Sequence, residues 1–105
     1  MFHLEIKPTI ECDFQSGSGH SQVKHYHANI TTKAICVQTC LDMQKSTHPA
    51  VNGVSMDIMR ADCYCHEGMV GRDEKKIHES SCFLPTSGMF LETISKIWEI
   101  ISFHL

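Results

Sequence analysis

The sequence has no apolar run of the roughly 20 residues that a membrane-spanning helix needs. Its opening stretch, MFHLEIKPTIECDF, has no apolar core of the kind a secretory signal peptide carries. Positive charge is not in excess: the net charge is −3. The only compact basic group, Lys75-Lys76, has Asp73, Glu74 and Glu79 beside it. A polyanion needs a concentrated basic surface, so no nucleic-acid partner is expected. Glycine-rich phosphate loops, nucleophile elbows and metalloprotease motifs are all missing. No catalytic residue, metal or cofactor is therefore assigned, and the chain is read as a non-enzyme. It also has no internal repeat and no low-complexity tract.

What is present is cysteine. Six occur in 105 residues, an even number at high density. That pattern suits three disulfides in an oxidising compartment. Hydrophobic residues make up 42 %, enough for a modest core, and a domain this small gains from crosslinks. Asn29-Ile30-Thr31 is an N-glycosylation sequon, which marks Asn29 as a candidate glycan acceptor. Together these features point to an extracellular or secreted protein. With no signal peptide visible, the chain is read as a piece of a longer secreted protein or as a truncated reading frame. A reduced cytosolic protein is the third option.

Alternation at Phe2, Leu4 and Ile6 predicts a short strand. Ser16-Gly17-Ser18-Gly19 reads as a flexible turn or loop. Residues 22–30 read as extended, with Val23, His25 and His27 on one side. A helix is expected from Thr31 or Thr32 to about Lys45. Its stripe is Ile35, Cys36, Cys40 and Met43, flanked by Val37 and Leu41, and His48-Pro49 ends it. Val54, Met56 and Ile58 alternate with Ser55, Asp57 and Met59, the strongest strand signal in the chain. Residues 63–66, CYCH, form the return strand of a hairpin. Gly68 to His78 reads as an exposed loop, and Ser80–Leu84 as a last short strand. Beyond Pro85, residues 86–105 show Leu91, Ile94, Trp98, Ile101 and Leu105 at helical spacing, an amphipathic helix. The fold class is thus α+β: a small twisted antiparallel sheet with one packed helix, stapled by disulfides, plus a C-terminal amphipathic helix. The expected division is a module at 1–85 and a helical tail at 86–105.

Cys36 and Cys40 share a helix face about 6 Å apart along the axis. Cys63 and Cys65 share a strand face at about 6.7 Å, too far apart to bond each other. A helix laid along that strand would form two disulfides side by side, leaving Cys12 for Cys82. The preferred set is Cys12–Cys82, Cys36–Cys63 and Cys40–Cys65. Crossing the inner four, as Cys36–Cys65 and Cys40–Cys63, is the alternative, and the relative direction of helix and strand decides between them.

With these features residues 10 to 84 resemble the PAN/apple module family. The resemblance rests on Cys12 near the first strand and on the helical C-x-x-x-C of Cys36 and Cys40. It continues in the NGVSM strand at 52–56, the return strand with Cys63, and Cys82 in SSCFL. It implies a non-catalytic extracellular recognition module that binds protein or carbohydrate, usually as one unit of a larger secreted or membrane-attached chain. The family has no portable ligand motif, so ligand-binding residues are unknown. The segment His20–His27 and the loop Gly68–His78 are candidate surfaces, with solvated loops the plainer reading. One departure stands out: Ala50 and Val51 occupy the place of a usual family cysteine, and Cys65 is an extra one that can replace it. The cystine-stabilised αβ motif of defensins and small toxins is the second resemblance, in chains usually much shorter.

The alternative function is a small zinc-binding module using Cys36, Cys40, Cys63 and Cys65, with His66, His25 or His27 as substitute ligands. A Cys65-His66 nucleophile pair is set aside because neighbours on a strand point to opposite faces, which leaves His66 without chemistry of its own. Eight histidines would add charge at acid pH, though scattered surface histidines are the plainer reading. The tail helix either packs on the sheet or docks to a partner or membrane, membrane contact being the less favoured.

Overall fold

The computed structural model describes residues 12–85. The strand expected at Phe2–Lys7 and the helix expected at 86–105 lie outside the described residues. In chain order the elements are β1 (Gln15–Ser16), β2 (Ser18–His20), β3 (Val23–His27), α1 (Lys33–Ser46), β4 (Val51–Asp57), β5 (Asp62–Glu67), β6 (Gly71–Asp73) and β7 (Ser80–Phe83). Five strands form one sheet in the order β1-β7-β4-β5-β3, and β2 and β6 form a separate ribbon. All pairings are antiparallel.

The helix begins where a capping residue satisfies a free backbone donor: the Thr32 hydroxyl accepts the Ile35 N–H at 3.2 Å. It ends before His48-Pro49, with the Thr47 N–H donating to the Met43 carbonyl. Its buried face is Cys36, Val37, Cys40, Leu41 and Gln44, while Ile35 is exposed. The expected stripe is thus rotated: the two cysteines set which side meets the sheet, and Ile35 falls outside it. Gln44 is buried because its Nε2 donates to the carbonyls of Val51 and Pro85, both at 2.7 Å. It ties the end of the helix to the start of β4 and to the end of the described chain.

β4 is central and buried on both faces. Val54 and Met56 turn toward α1, but Ser55 and Asp57 are buried as well, against the alternation expected from the sequence. The β2–β6 ribbon covers this second face, and its Gly19 N–H donates to Ser55 Oγ at 2.6 Å. Of the turn or loop expected at Ser16–Gly19, the structure keeps the turn, a bend at Gly17 with φ 115°, and makes the residues on either side short strands. Likewise Gly71–Asp73 is strand, inside the stretch expected to be an exposed loop. Both misreadings share one cause: strands of two or three residues are too short to show a period. Ile58 lies past the end of β4 and is exposed.

Two glycines permit the ribbon's approach. A Cβ at Gly53 would overlap the Met69 side chain, and a Cβ at Gly19 would lie 2.7 Å from His66 Nε2 and 2.8 Å from Ser55 Oγ. Asn52, at the bulge in β4, holds Met69 in place: its Oδ1 accepts the Met69 N–H at 2.8 Å and its Nδ2 donates to the Met69 carbonyl at 3.1 Å.

The core between helix and sheet consists of Val37, Leu41, Val51, Val54, Met56 and Leu84 with the half-cystines 36, 40, 63, 65 and 82. So few aliphatic side chains give a thin hydrophobic ledger, and the crosslinks supply much of the cohesion.

Candidate functional site: the disulfide clamp and the surfaces it holds

Four of the six cysteines meet at the join between α1 and β5. Cys36 bonds Cys63 and Cys40 bonds Cys65, with Cα–Cα distances of 5.6 and 5.2 Å. Helix and strand run in the same direction where they join, so the pairs are uncrossed. Cys12 bonds Cys82 at a Cα–Cα distance of 5.4 Å and closes the chain around the whole assembly. No cysteine is free. The Sγ atoms of Cys36, Cys40 and Cys63 lie within 4.8 Å of one another, a thiolate-like cluster in shape. As disulfide sulfurs they carry no thiolate charge, and zinc needs the thiolate.

Of the three histidines considered beside these cysteines, two lie on the clamp's side of the sheet. His25 is the register partner of Cys65 and His27 that of Cys63. Both have other partners: His25 Nε2 is 2.7 Å from Glu67 Oε2, and His27 Nε2 is 3.0 Å from Met43 Sδ. His66 lies on the opposite face, as its place next to Cys65 requires, and is fully buried beneath the ribbon.

The His66 environment is the feature that sequence reasoning missed. Its Nε2 is 2.6 Å from Ser55 Oγ and its Nδ1 is 2.7 Å from Ser21 Oγ. One proton arrangement satisfies every group. Gly19 N–H donates to Ser55 Oγ; the Ser55 hydroxyl donates to Nε2; Nδ1–H donates to Ser21 Oγ; and the Ser21 hydroxyl donates to the Val23 carbonyl at 3.0 Å. The imidazole in that chain is neutral. Burial, helped by the nearby Lys24 cation, lowers its pKa from 6.5 to about 4. A hollow of about 360 Å³ lies beside Ser21, lined also by His20, Gln22, Gly68 and Val70. The serine–histidine contact resembles a nucleophile and base, but its chemistry is poor. Ser21, at Nδ1, offers a neutral hydroxyl where a carboxylate would stabilise an imidazolium, and the lowered pKa weakens the base. The chain ties β2, β3, β4 and β5 together through polar contacts. Its one hint in the sequence is Ser18-Gly19, residues small enough for a ribbon to lie close on a sheet.

Two surfaces present side chains suited to contact. At the Met56 end of the sheet a groove of about 300 Å³ is lined by Phe14, Ile58, Met59 and Ile77, with Lys33 and Glu79 among its polar neighbours. Met59 is 95 % exposed and Ile77 78 %. On the face of β3 and β5 away from the helix, the Tyr26 and Tyr64 rings lie 5.3 Å apart, with Lys24 Nζ 5.3 Å from the Tyr64 ring centre. The Tyr26 hydroxyl donates to Asp62 Oδ1 at 2.6 Å, and that carboxylate holds its pKa above the usual phenol value. Of the two segments named as candidate surfaces, His20–His27 contributes this aromatic strip. Gly68–His78 contributes Ile77 and Val70 but buries Met69. Asn29, the candidate glycan acceptor, is exposed, in a left-handed conformation with φ 60°.

No family model matches the chain, and neither a curated protein nor a solved structure does. Among the described residues no helix is long and apolar enough to cross a membrane.

Proposed function

We propose that the chain is a non-catalytic extracellular recognition module, a PAN/apple-like unit of a larger secreted or membrane-attached protein, that binds protein or carbohydrate ligands. One observation carries this reading: all six cysteines are engaged, two pairs fastening helix to sheet and one closing the ends. A thin core fastened in this way fits an oxidising compartment, where such bonds persist. A rigid scaffold with exposed apolar and aromatic side chains fits recognition, because ordering costs little on binding. The ligand surface is the groove of Phe14, Ile58, Met59 and Ile77, which offers apolar side chains that a partner can bury.

Non-reducing peptide mapping of the protein secreted from cells tests the premise. Three crosslinked peptide pairs, 12 with 82, 36 with 63 and 40 with 65, are expected, with a glycan on Asn29. A glycan and protein-ligand screen follows, in which Met59→Asp and Ile77→Asp abolish capture of any protein ligand while the thermal midpoint stays within a few degrees. Six free thiols in the native protein would favour the second reading, a zinc module. That reading draws on the proximity of the Cys36, Cys40 and Cys63 sulfurs, with Cys65 as the fourth ligand.

A further inference from the structure

Beside the clamp and away from the groove, a pair of imidazoles meets at the corner between the end of α1 and the edge strand β3. The His25 and His48 ring centres lie 4.4 Å apart, with the ring planes tilted by 59°. Each ring has one nitrogen engaged. His25 Nε2 is 2.7 Å from Glu67 Oε2, and His48 Nδ1 is 2.6 Å from Thr47 Oγ1. Among the described residues no hydrogen bond occupies His25 Nδ1 or His48 Nε2. Both backbones are pinned. His25 pairs with Cys65 in the sheet, while the His48 N–H donates to Met43 and its carbonyl accepts from Val51. The Cys40–Cys65 disulfide joins the helix that leads to His48 with the strand beside His25. Both residues are half-buried, sheltered yet open to ions.

We propose that His25 and His48 form a binding site for a divalent transition-metal ion of the zinc or copper type, held through His25 Nδ1 and His48 Nε2 with water completing the coordination. Two neutral imidazoles suit zinc, copper or nickel, whereas calcium and magnesium require oxygen ligands. Ligating histidines as a rule have the other ring nitrogen hydrogen-bonded to a carboxylate, a carbonyl or water, which fixes the tautomer and raises ligand basicity. Glu67 fills that role for His25, and Thr47 supplies an oxygen acceptor for His48. Binding requires the two rings, 4.4 Å apart between centres, to reorient until the free nitrogens face one ion. The site uses no cysteine as a ligand, so it is distinct from the zinc reading of the clamp, and it rests on the Cys40–Cys65 bond only for the placing of its two elements.

Titration calorimetry with zinc chloride on the protein with all disulfides intact, verified by the absence of reactive thiol, provides the test. One equivalent is expected to bind. His48→Ala and His25→Ala should each weaken binding at least tenfold, Glu67→Gln by about tenfold or more, and His20→Ala should leave it unchanged. In the unsubstituted protein, NMR of the histidine rings should show zinc moving the His25 and His48 resonances and sparing His66, a readout that does not depend on any variant folding. The absence of saturable binding overturns the site, as does zinc that shifts other histidines and leaves these two in place.

Discussion

His66 illustrates how one side chain can join the layers of a small protein and also make it acid-sensitive. Its folded-state pKa, about 4, lies below the ordinary 6.5. Protonation therefore favours the unfolded chain. The stability contributed by the neutral imidazole is complete above pH 6.5 and declines as the pH falls toward 4. Its full extent is about 2–3 kcal/mol after allowing for some residual screening. Urea unfolding at pH 7 and pH 4.5 should show this loss, and His66→Gln should show a smaller difference between the two. The Gly19→Ala variant probes the same place by steric means. Its methyl group would press on His66, Met69 and Ser55 at once. A loss of about 1–3 kcal/mol is expected, read as a lower urea midpoint with an unchanged slope. A stable Gly19→Ala protein would mean that the ribbon lifts from the sheet at little cost.

At the level of elements, α1 depends on its cap and its clamp. Thr32→Ala removes the acceptor for the Ile35 N–H and should lower stability by about 1 kcal/mol in a thermal or urea scan. Replacing Cys36 and Cys63 together by serine opens a loop of 27 residues, worth about 3.5 kcal/mol in the chain-entropy model. The Cys40–Cys65 bond should persist in that variant and keep the helix on the sheet, so far-ultraviolet dichroism changes little while the unfolding midpoint drops. The elements also differ in how far the sequence discloses them. The helix is legible because capping threonine, apolar spacing and His-Pro each act within a few residues. The clamp is legible because helix and strand spacings nearly match, so Cys36, Cys40, Cys63 and Cys65 fit as two bonds side by side; whether they cross depends on the direction of the helix on the strand, which only the fold supplies. The second face of β4 is not legible. Ser55 and Asp57 look solvent-facing by alternation, and only the distant ribbon of Ser18–His20 and Gly71–Asp73 buries them. The His25–His48 pair is equally hidden, since 22 intervening residues separate partners that only the register of β3 on β5 and the turn after α1 bring together.

On the scale of the whole molecule, the outer bond Cys12–Cys82 encloses α1 and, among the described strands, all but the end of β7. Removing it by paired serine substitution should lower stability by about 4 kcal/mol, more than either inner bond, because it closes the longest loop. This ranking is checked by comparing the three double-serine variants in one denaturant series. The bond also has a mechanical meaning. Tension pulling on the chain from the two sides of this pair passes through the sulfur–sulfur link and bypasses the sheet, the helix and the inner clamp. Stretching in a force spectrometer should then leave residues 12–82 unextended until a reductant is added. Reduction would convert a short inextensible spacer into a chain that can unravel.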